Sequence, residues 1–353
     1  MKLNAKKYNH QVIQSYVSEI FSAAGLDKEA SDISANALVK ADLRGVWSHG
    51  IARTSVYCRR LDKQAANSKP KIKIENPYKS IAKIDGDNGL GLVVADLAIK
   101  EVIKITKENG IGLAGIYNSN HFGMAALYLE EATKNDCLCW VFTNASKALP
   151  PHGAMESHFG TSPFAFGAPT SDPEKPFILD MASSSVARGK LKFSAQRGEK
   201  IPFGLALDKD GNPTDDGQKA FDGIMLPFGG MKGAGISWMM DIAAGIFTGA
   251  NHSGNVKNAI NDFSGPANVG HLMICIKSDL FQSKNDFLKK MKEGIQKVKK
   301  LKLAKDFNEI LHPGEPEYRS YKLNIREGIS ISDDVIDDLK KLGDQYKIKW
   351  PLI

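Results

Sequence analysis

The chain is poor in the residues and patterns that announce the commoner chemistries. It has four cysteines in 353 residues, Cys58, Cys137, Cys139 and Cys275, and none share the C-x-x-C spacing. That argues against a disulfide framework and against a zinc site. Cys137 and Cys139 alternate with other residues in DCLCWVF, which suits buried strand thiols. Long hydrophobic runs are also missing. The most apolar segment, GAGISWMMDIAAGIFTGA (233–250), carries Asp241 near its middle, so a buried helix is expected rather than a membrane span. The opening MKLNAKKYNHQ has no apolar signal core, and a cytoplasmic location without membrane partners is expected. There is no G-x-x-x-x-G-K-[ST] phosphate loop and no G-x-S-x-G nucleophile elbow. His49, His121, His152 and His158 lack H-E-x-x-H or H-x-x-x-H spacing, so no metal is expected.

The composition is that of a globular chain of about two domains, 42% hydrophobic and 25% charged. A formal charge of +7 raises the question of nucleic acid. Much of the excess falls in KSDLFQSKNDFLKKMKEGIQKVKKLKLAKDF (277–307). There Phe287, Leu288, Met291, Ile295 and Val298 recur at helical spacing between lysines, and Ser283 with Asp286 forms a capping box. This reads as a solvated amphipathic helix. No aromatic-interleaved basic motif accompanies it, so nucleic acid is not expected as a partner.

One stretch, ENGIGLAGIY (108–117), does contain the dinucleotide spacing G-x-G-x-x-G, at Gly110, Gly112 and Gly115. That motif works only between a strand and the helix that follows it. Here the order is reversed. Residues 93–107 have helical periodicity, Asn109-Gly110 closes that helix, and IGLAGIY reads as a buried strand. The motif is therefore read as a helix-to-strand junction and not as a Rossmann site.

Elsewhere the pattern predicts helices at about 9–24, 28–43, 122–135 and 333–342, the last with Ser332 as N-cap. Strands are predicted at 80–85, 137–143, 177–181, 204–208 and 271–276, and FGGMKGAG (228–235) opens the apolar helix. Helices and strands alternate irregularly, giving an α/β class with a mixed sheet.

Chemistry-bearing side chains concentrate in loops: Ser48, His49 and Arg53 in WSHGIAR, His121 in NSNHFG, Asn144 and Ser146 in TNASK, Asp180 at the end of ILDM, Lys232 in GGMKGAG, and His312 to Glu315 in LHPGEPE. Each also has a plainer use. A loop histidine often caps or is simply solvated, Asp180 suits the cap of a helix beginning at Met181 or Ala182, and the glycines around Lys232 suit a tight helix entry. Lys232 beside free amides at a helix start is nevertheless a credible phosphate contact.

Taken together and in order, ADLRGVWSHGIAR, NSNHFGMAALY, TNASKALPPHG, GTSPFAFGAPT, ILDMASSSVARGKL, ALDKDGNPT, GGMKGAG and HPGEPE resemble the type-2 malate/L-lactate dehydrogenase family. That family also includes ureidoglycolate, sulfolactate and Δ1-piperideine-2-carboxylate oxidoreductases. The resemblance implies a non-Rossmann fold with a helical domain from residues 1–75 plus 310–353 and a cofactor-binding and catalytic region at 76–309. It also implies a homodimer and a small 2-hydroxy or 2-oxo acid as substrate, with NAD or NADP as cofactor. His121 would accept and donate the proton, with Ser48, His49 and Arg53 at the substrate. Asn144, Ala145, Ser146, Asp180, Met181 and Ala182 would hold the cofactor together with His121. Lys232 would lie on its phosphates, and Pro313, Gly314 and Glu315 would line its site. Trp47 departs from the family, which usually has an acidic residue there.

Chemically, oxidising a 2-hydroxy acid sends a hydride to the nicotinamide and a proton to a base. An unperturbed histidine, with a pKa of about 6.5, holds both forms near neutrality. A guanidinium such as that of Arg53 grips a carboxylate with two parallel hydrogen bonds. A reductase of a cyclic imine carboxylate would use the same grip, and a non-catalytic binding protein on the same scaffold is the reading from another class.

Overall fold

The computed structural model describes residues 6–351. The chain opens with strand β1 (Lys6–Tyr8) and helices α1 (His10–Ala23), α2 (Lys28–Leu43) and α3 (Thr54–Asp62). The first two start where a side chain can take up free amides: Asn9 accepts from Gln11 N–H at 2.8 Å and Asp27 from Ala30 N–H at 2.8 Å. The apolar stripe of α1 is buried against α2, α3 and the last helix, α11 (Asp333–Gln345). β1 pairs with the late strand β11 (Ile329–Ile331), so the two ends of the chain share one core.

The middle of the chain supplies β2 (Lys73–Tyr78), β3 (Ile81–Asp85), α4 (Gly91–Asn109), β4 (Ile111–Ser119), α5 (Ala126–Lys134), β5 (Cys137–Thr143), β6 (Phe164–Ala168), β7 (Phe177–Met181) and β10 (Val269–Lys277). These strands form one seven-stranded sheet in the order β2-β3-β4-β10-β5-β6-β7. Only β3 and β4 pair in parallel among the described neighbours in this sheet; the others are antiparallel. It follows that β4, β5 and β7 run the same way and end at the same edge. Alternation along β5 places Cys137, Cys139, Val141 and Thr143 on the buried face beneath α4 and α5. Leu138, Trp140 and Phe142 lie on the other face and are only half-buried.

The G-x-G-x-x-G glycines have structural duties. Gly110 ends α4 at φ 82°, a left-handed conformation. Gly112 lets α4 press on β4, because a Cβ there would sit 2.6 Å from the Val102 carbonyl.

A small lobe follows β7, made of α6 (Arg188–Arg197), α7 (Gly217–Asp222) and the short pair β8 (Ala206–Leu207) and β9 (Ile224–Met225) around Leu149, Leu191 and Ala220. The strand expected at 204–208 is thus only two residues long. Helix α8 (Met231–Asp241) then runs into a π-helical turn (Ile242–Ile246) across the second face of the sheet, where Gly115 of β4 faces Thr248. The expectation that this apolar segment is buried is corrected: Trp238 is 55% and Phe247 70% exposed. The sheet needs only one side of the helix, and the other side faces outward.

Helix α9 (Lys284–Lys299) has the expected capping box, with Ser283 accepting from Asp286 N–H at 3.1 Å, and it buries none of its residues fully. Helix α10 (Glu315–Glu327) completes the set. Among the described residues no helix is long and apolar enough to cross a membrane, and no cluster of three or more potential metal ligands occurs.

Candidate active site

The candidate loops gather where β4, β5 and β7 end. The substrate loop runs from Trp47 to Arg53 as two short 3-10 turns between α2 and α3. Asp42 of α2 fixes it from beneath, accepting from Ile51 N–H at 2.8 Å. Glycine is required at position 50, since a Cβ there would lie 2.1 Å from the Asp42 carboxylate. Burial raises Asp42 to a pKa of about 7. Within the loop, Ser48 Oγ meets His49 Nδ1 at 2.9 Å, and Arg53 Nε donates to the Ser48 carbonyl at 2.7 Å.

His121 follows β4 and lies against this loop. Its ring stacks on His49 with centroids 5.6 Å apart. Its Nδ1 meets the Tyr57 hydroxyl at 2.7 Å and receives Gly123 N–H at 3.3 Å. Its Nε2 makes no hydrogen bond among the described residues, and the side chain stays partly open to solvent. Burial, followed by the charges of His49 and Arg53, depresses His121 well below the usual histidine range. His49 falls to about 4 through burial and then Arg53. The picture of a histidine poised near neutrality is therefore revised: in the free chain both imidazoles are neutral at pH 7. None of the groups acting on His121 is a carboxylate, and Arg53 and Arg60 both bear on it, so this corner favours an anion.

Asp180, at the end of β7, caps a helix, but not the one expected. No helix begins at Met181 or Ala182. Its carboxylate instead accepts from Ala126 N–H at 2.8 Å at the start of α5, which ties β7 to the loop leaving His121. Asp180 is exposed to solvent, yet the protein packed around its carboxylate desolvates it enough to raise its pKa. Met181 and Ala182 continue from it along the same edge.

Asn144, at the end of β5, is buried and fully engaged. It donates to the Asn251 carbonyl at 2.5 Å and accepts from Gly270 N–H at 3.0 Å. Its side chain thus holds the turn, leaving Ala145 and Ser146 partly exposed beyond it. The entry to α8 is fastened to the residue after Ala182: Phe228 N–H donates to Ser183 O at 3.0 Å, and the Ser237 and Ser183 hydroxyls meet at 2.8 Å. Lys232 is exposed on that first turn, which starts without a side-chain cap. A lysine on the first turn of a helix and open space above Gly230 and Gly235 fit a dinucleotide phosphate.

The HPGE turn seats at the other end of β7, where Ile178 N–H donates to Pro313 O at 3.1 Å and Gly314 packs on Ile178. Glu315 is buried and occupied by Lys299 at 2.5 Å and Arg319 at 3.0 Å, so its carboxylate holds the turn together.

Sequence reasoning missed three residues. Tyr57 and Arg60 lie four and seven positions after Arg53, a spacing that puts all three on one side of α3. Arg60 is fully buried and tied to Asn120 Oδ1 at 3.3 Å and to the carbonyls of Ala65 and Asp262. His271, the third residue of β10, joins Thr143 to Ser119 at 2.7 and 2.8 Å, with Phe122 stacked on it at 4.7 Å. A histidine at the head of an otherwise apolar strand was its only signal.

The family model for malate/L-lactate dehydrogenase matches residues 8–340. The chain belongs to that family. It is 36% identical over 336 residues, 95% of its length and 97% of the relative's, to the malate/(S)-sulfolactate dehydrogenase of Methanothermus fervidus. It is 29% identical over 326 residues, 92% and 91% of the two lengths, to the ureidoglycolate dehydrogenase (NAD(+)) of Escherichia coli. It superposes on the sulfolactate dehydrogenase of Methanocaldococcus jannaschii with a TM-score of 0.92 at 35% identity, covering 98% of each chain. The protein is an oxidoreductase of the 2-hydroxy acid dehydrogenase type, on a mixed α/β fold.

Proposed function

We propose that this dehydrogenase interconverts a small 2-hydroxy acid of the malate, lactate, sulfolactate or ureidoglycolate type and its 2-oxo acid, with NAD or NADP as the hydride partner. The observation that carries this reading is His121. Its Nδ1 is engaged by the protein, while its Nε2 makes no hydrogen bond among the described residues, with His49 stacked on the ring and the Arg53 charge acting on it. Arg53 grips the substrate carboxylate, and the anion's charge in turn offsets the positive charges that, after burial, depress His121. His121 then passes the proton of the substrate oxygen, with Ser48 and His49 orienting that oxygen. Lys232 and the amides of the α8 entry hold the cofactor phosphates, with residues 144–146, Asp180, Met181 and Ala182 closer to His121 and Pro313, Gly314 and Glu315 supporting the far side. The nicotinamide supplies the hydride acceptor, and the chain's task is orientation.

The outward apolar face of α8 and its π turn, with Met231, Trp238, Met239, Ile242, Ile246 and Phe247 all exposed, supports a homodimer in which a second copy covers it. Four free cysteines, all buried, suit a reducing cytoplasm. The decisive experiment is a panel of 2-hydroxy acids, 2-oxo acids and cyclic imine carboxylates with each cofactor, followed at the nicotinamide absorbance. Turnover confined to imines, or absent altogether, would overturn the proposal.

A further inference from the structure

Two groups converge on Nδ1 of His121: the Tyr57 hydroxyl at 2.7 Å and Gly123 N–H at 3.3 Å. A backbone N–H can only donate, so Nδ1 is an acceptor and neutral His121 carries its hydrogen on Nε2. Tyr57 is fully buried, and its hydroxyl has no other hydrogen-bond partner among the described residues. Its hydrogen is satisfied only by donating to the same Nδ1. We propose that Tyr57 is a positioning residue that holds His121 as the Nε2–H hydrogen-bond donor, biasing the resting site toward the 2-oxo acid, whose carbonyl oxygen can only accept.

This rests on the assignment of His121 to the substrate oxygen. The groups facing the ring are His49 and Arg53 from the substrate loop, Tyr57 and Arg60 from α3 and His271 from β10. Burial keeps the Tyr57 phenol protonated. When His121 takes up the proton that reduction consumes, the new Nδ1–H turns toward Tyr57 and the phenol oxygen accepts, a reversal that a hydroxyl permits and a phenylalanine does not. Passing Nε2–H to the substrate oxygen then leaves neutral His121 protonated at Nδ1, and its bare Nε2 is the base for the reverse oxidation.

The test begins with protein labelled with 15N at histidine. Two-bond proton–nitrogen correlations report which ring nitrogen carries the hydrogen, and the His121 signal is identified by its loss in His121→Gln. The expected wild-type spectrum shows protonated Nε2 and bare Nδ1; a protonated Nδ1 overturns the proposal before any variant is made. Tyr57→Phe leaves only the longer Gly123 contact of 3.3 Å on Nδ1, so part of the population should shift to the Nδ1–H tautomer. The variant should raise KM for the 2-oxo acid about fivefold to tenfold, the worth of one hydrogen bond, and leave KM for the 2-hydroxy acid within about twofold. Equal changes in both KM values, or an unchanged tautomer, would reduce Tyr57 to a packing residue. Full turnover in His121→Ala would instead remove the proton role of His121 while leaving the tautomer measurement to decide on Tyr57.

Discussion

His121 follows β4 and His271 lies on the neighbouring β10, and burial depresses both, yet they have opposite duties. His271 is enclosed, and each ring nitrogen meets a hydroxyl, Thr143 on one side and Ser119 on the other. It ties the ends of β4 and β5 together and has nothing left to offer a ligand. Among the described residues His121 has only Nδ1 engaged, and its other nitrogen has no partner, beside two arginines and a substrate loop. Burial alone therefore does not distinguish a catalytic imidazole from a structural one; the count of occupied nitrogens does.

Exchanging the two losses is the sharpest way to break that comparison. His121→Ala should cut kcat by about 10²- to 10⁴-fold while dinucleotide binding, measured by fluorescence titration, stays near wild type. His271→Ala should do the reverse, costing about 2–4 kcal/mol in denaturant unfolding by removing two buried hydrogen bonds and leaving a cavity beside Phe122. Similar stability losses in both variants would erase the distinction.

Acid should expose the same contrast. His271 falls to about 3 in the folded chain through burial, against about 6.5 when unfolded. The native state then binds fewer protons than the unfolded state below pH 6.5. Stability is whole above that pH and declines as the pH drops toward 3, by at most about 4–5 kcal/mol from this group. His49, at about 4, acts in the same direction. Denaturation midpoints measured from pH 7 to pH 4 should fall steadily in the wild type and less steeply in His271→Gln. A flat wild-type profile would mean that His271 is not held neutral.

Arg53→Ala should raise the apparent KM for the acid by about tenfold to a hundredfold, the value of a charged hydrogen-bonded contact, with Arg53→Lys recovering part of it. An unchanged KM would move the carboxylate site elsewhere. The smallest effect is expected at Asp180→Ala, which removes the α5 cap and should cost about 1 kcal/mol; a far larger loss would show Asp180 doing more than capping.

How much of this was readable beforehand varies by residue. The reversed order of helix and strand around Gly110 was enough to reject the Rossmann site, because α4 has a strong period and a glycine stop. WSHGIAR and NSNHFG were recognisable as a set, though nothing local showed that His121 would stack on His49. Asp180 was seen as a cap but assigned to the wrong helix, since capping over 54 residues leaves no mark in local spacing. The apolar helix was expected to be buried because hydropathy counts side chains without saying which face meets the sheet.

The sequence by itself determined most of the longer elements, though not α3, β6 or α10, together with the family and the inventory of polar loop residues, since period, capping and motif order act over short stretches of chain. Only the tertiary structure decided which of those residues share a site. Their convergence depends on β4, β5 and β7 running the same way through long-range pairings. It also depends on buried groups such as Tyr57, Asp42 and His271, whose partners lie far along the chain and whose ionisation is set by the protein packed around them.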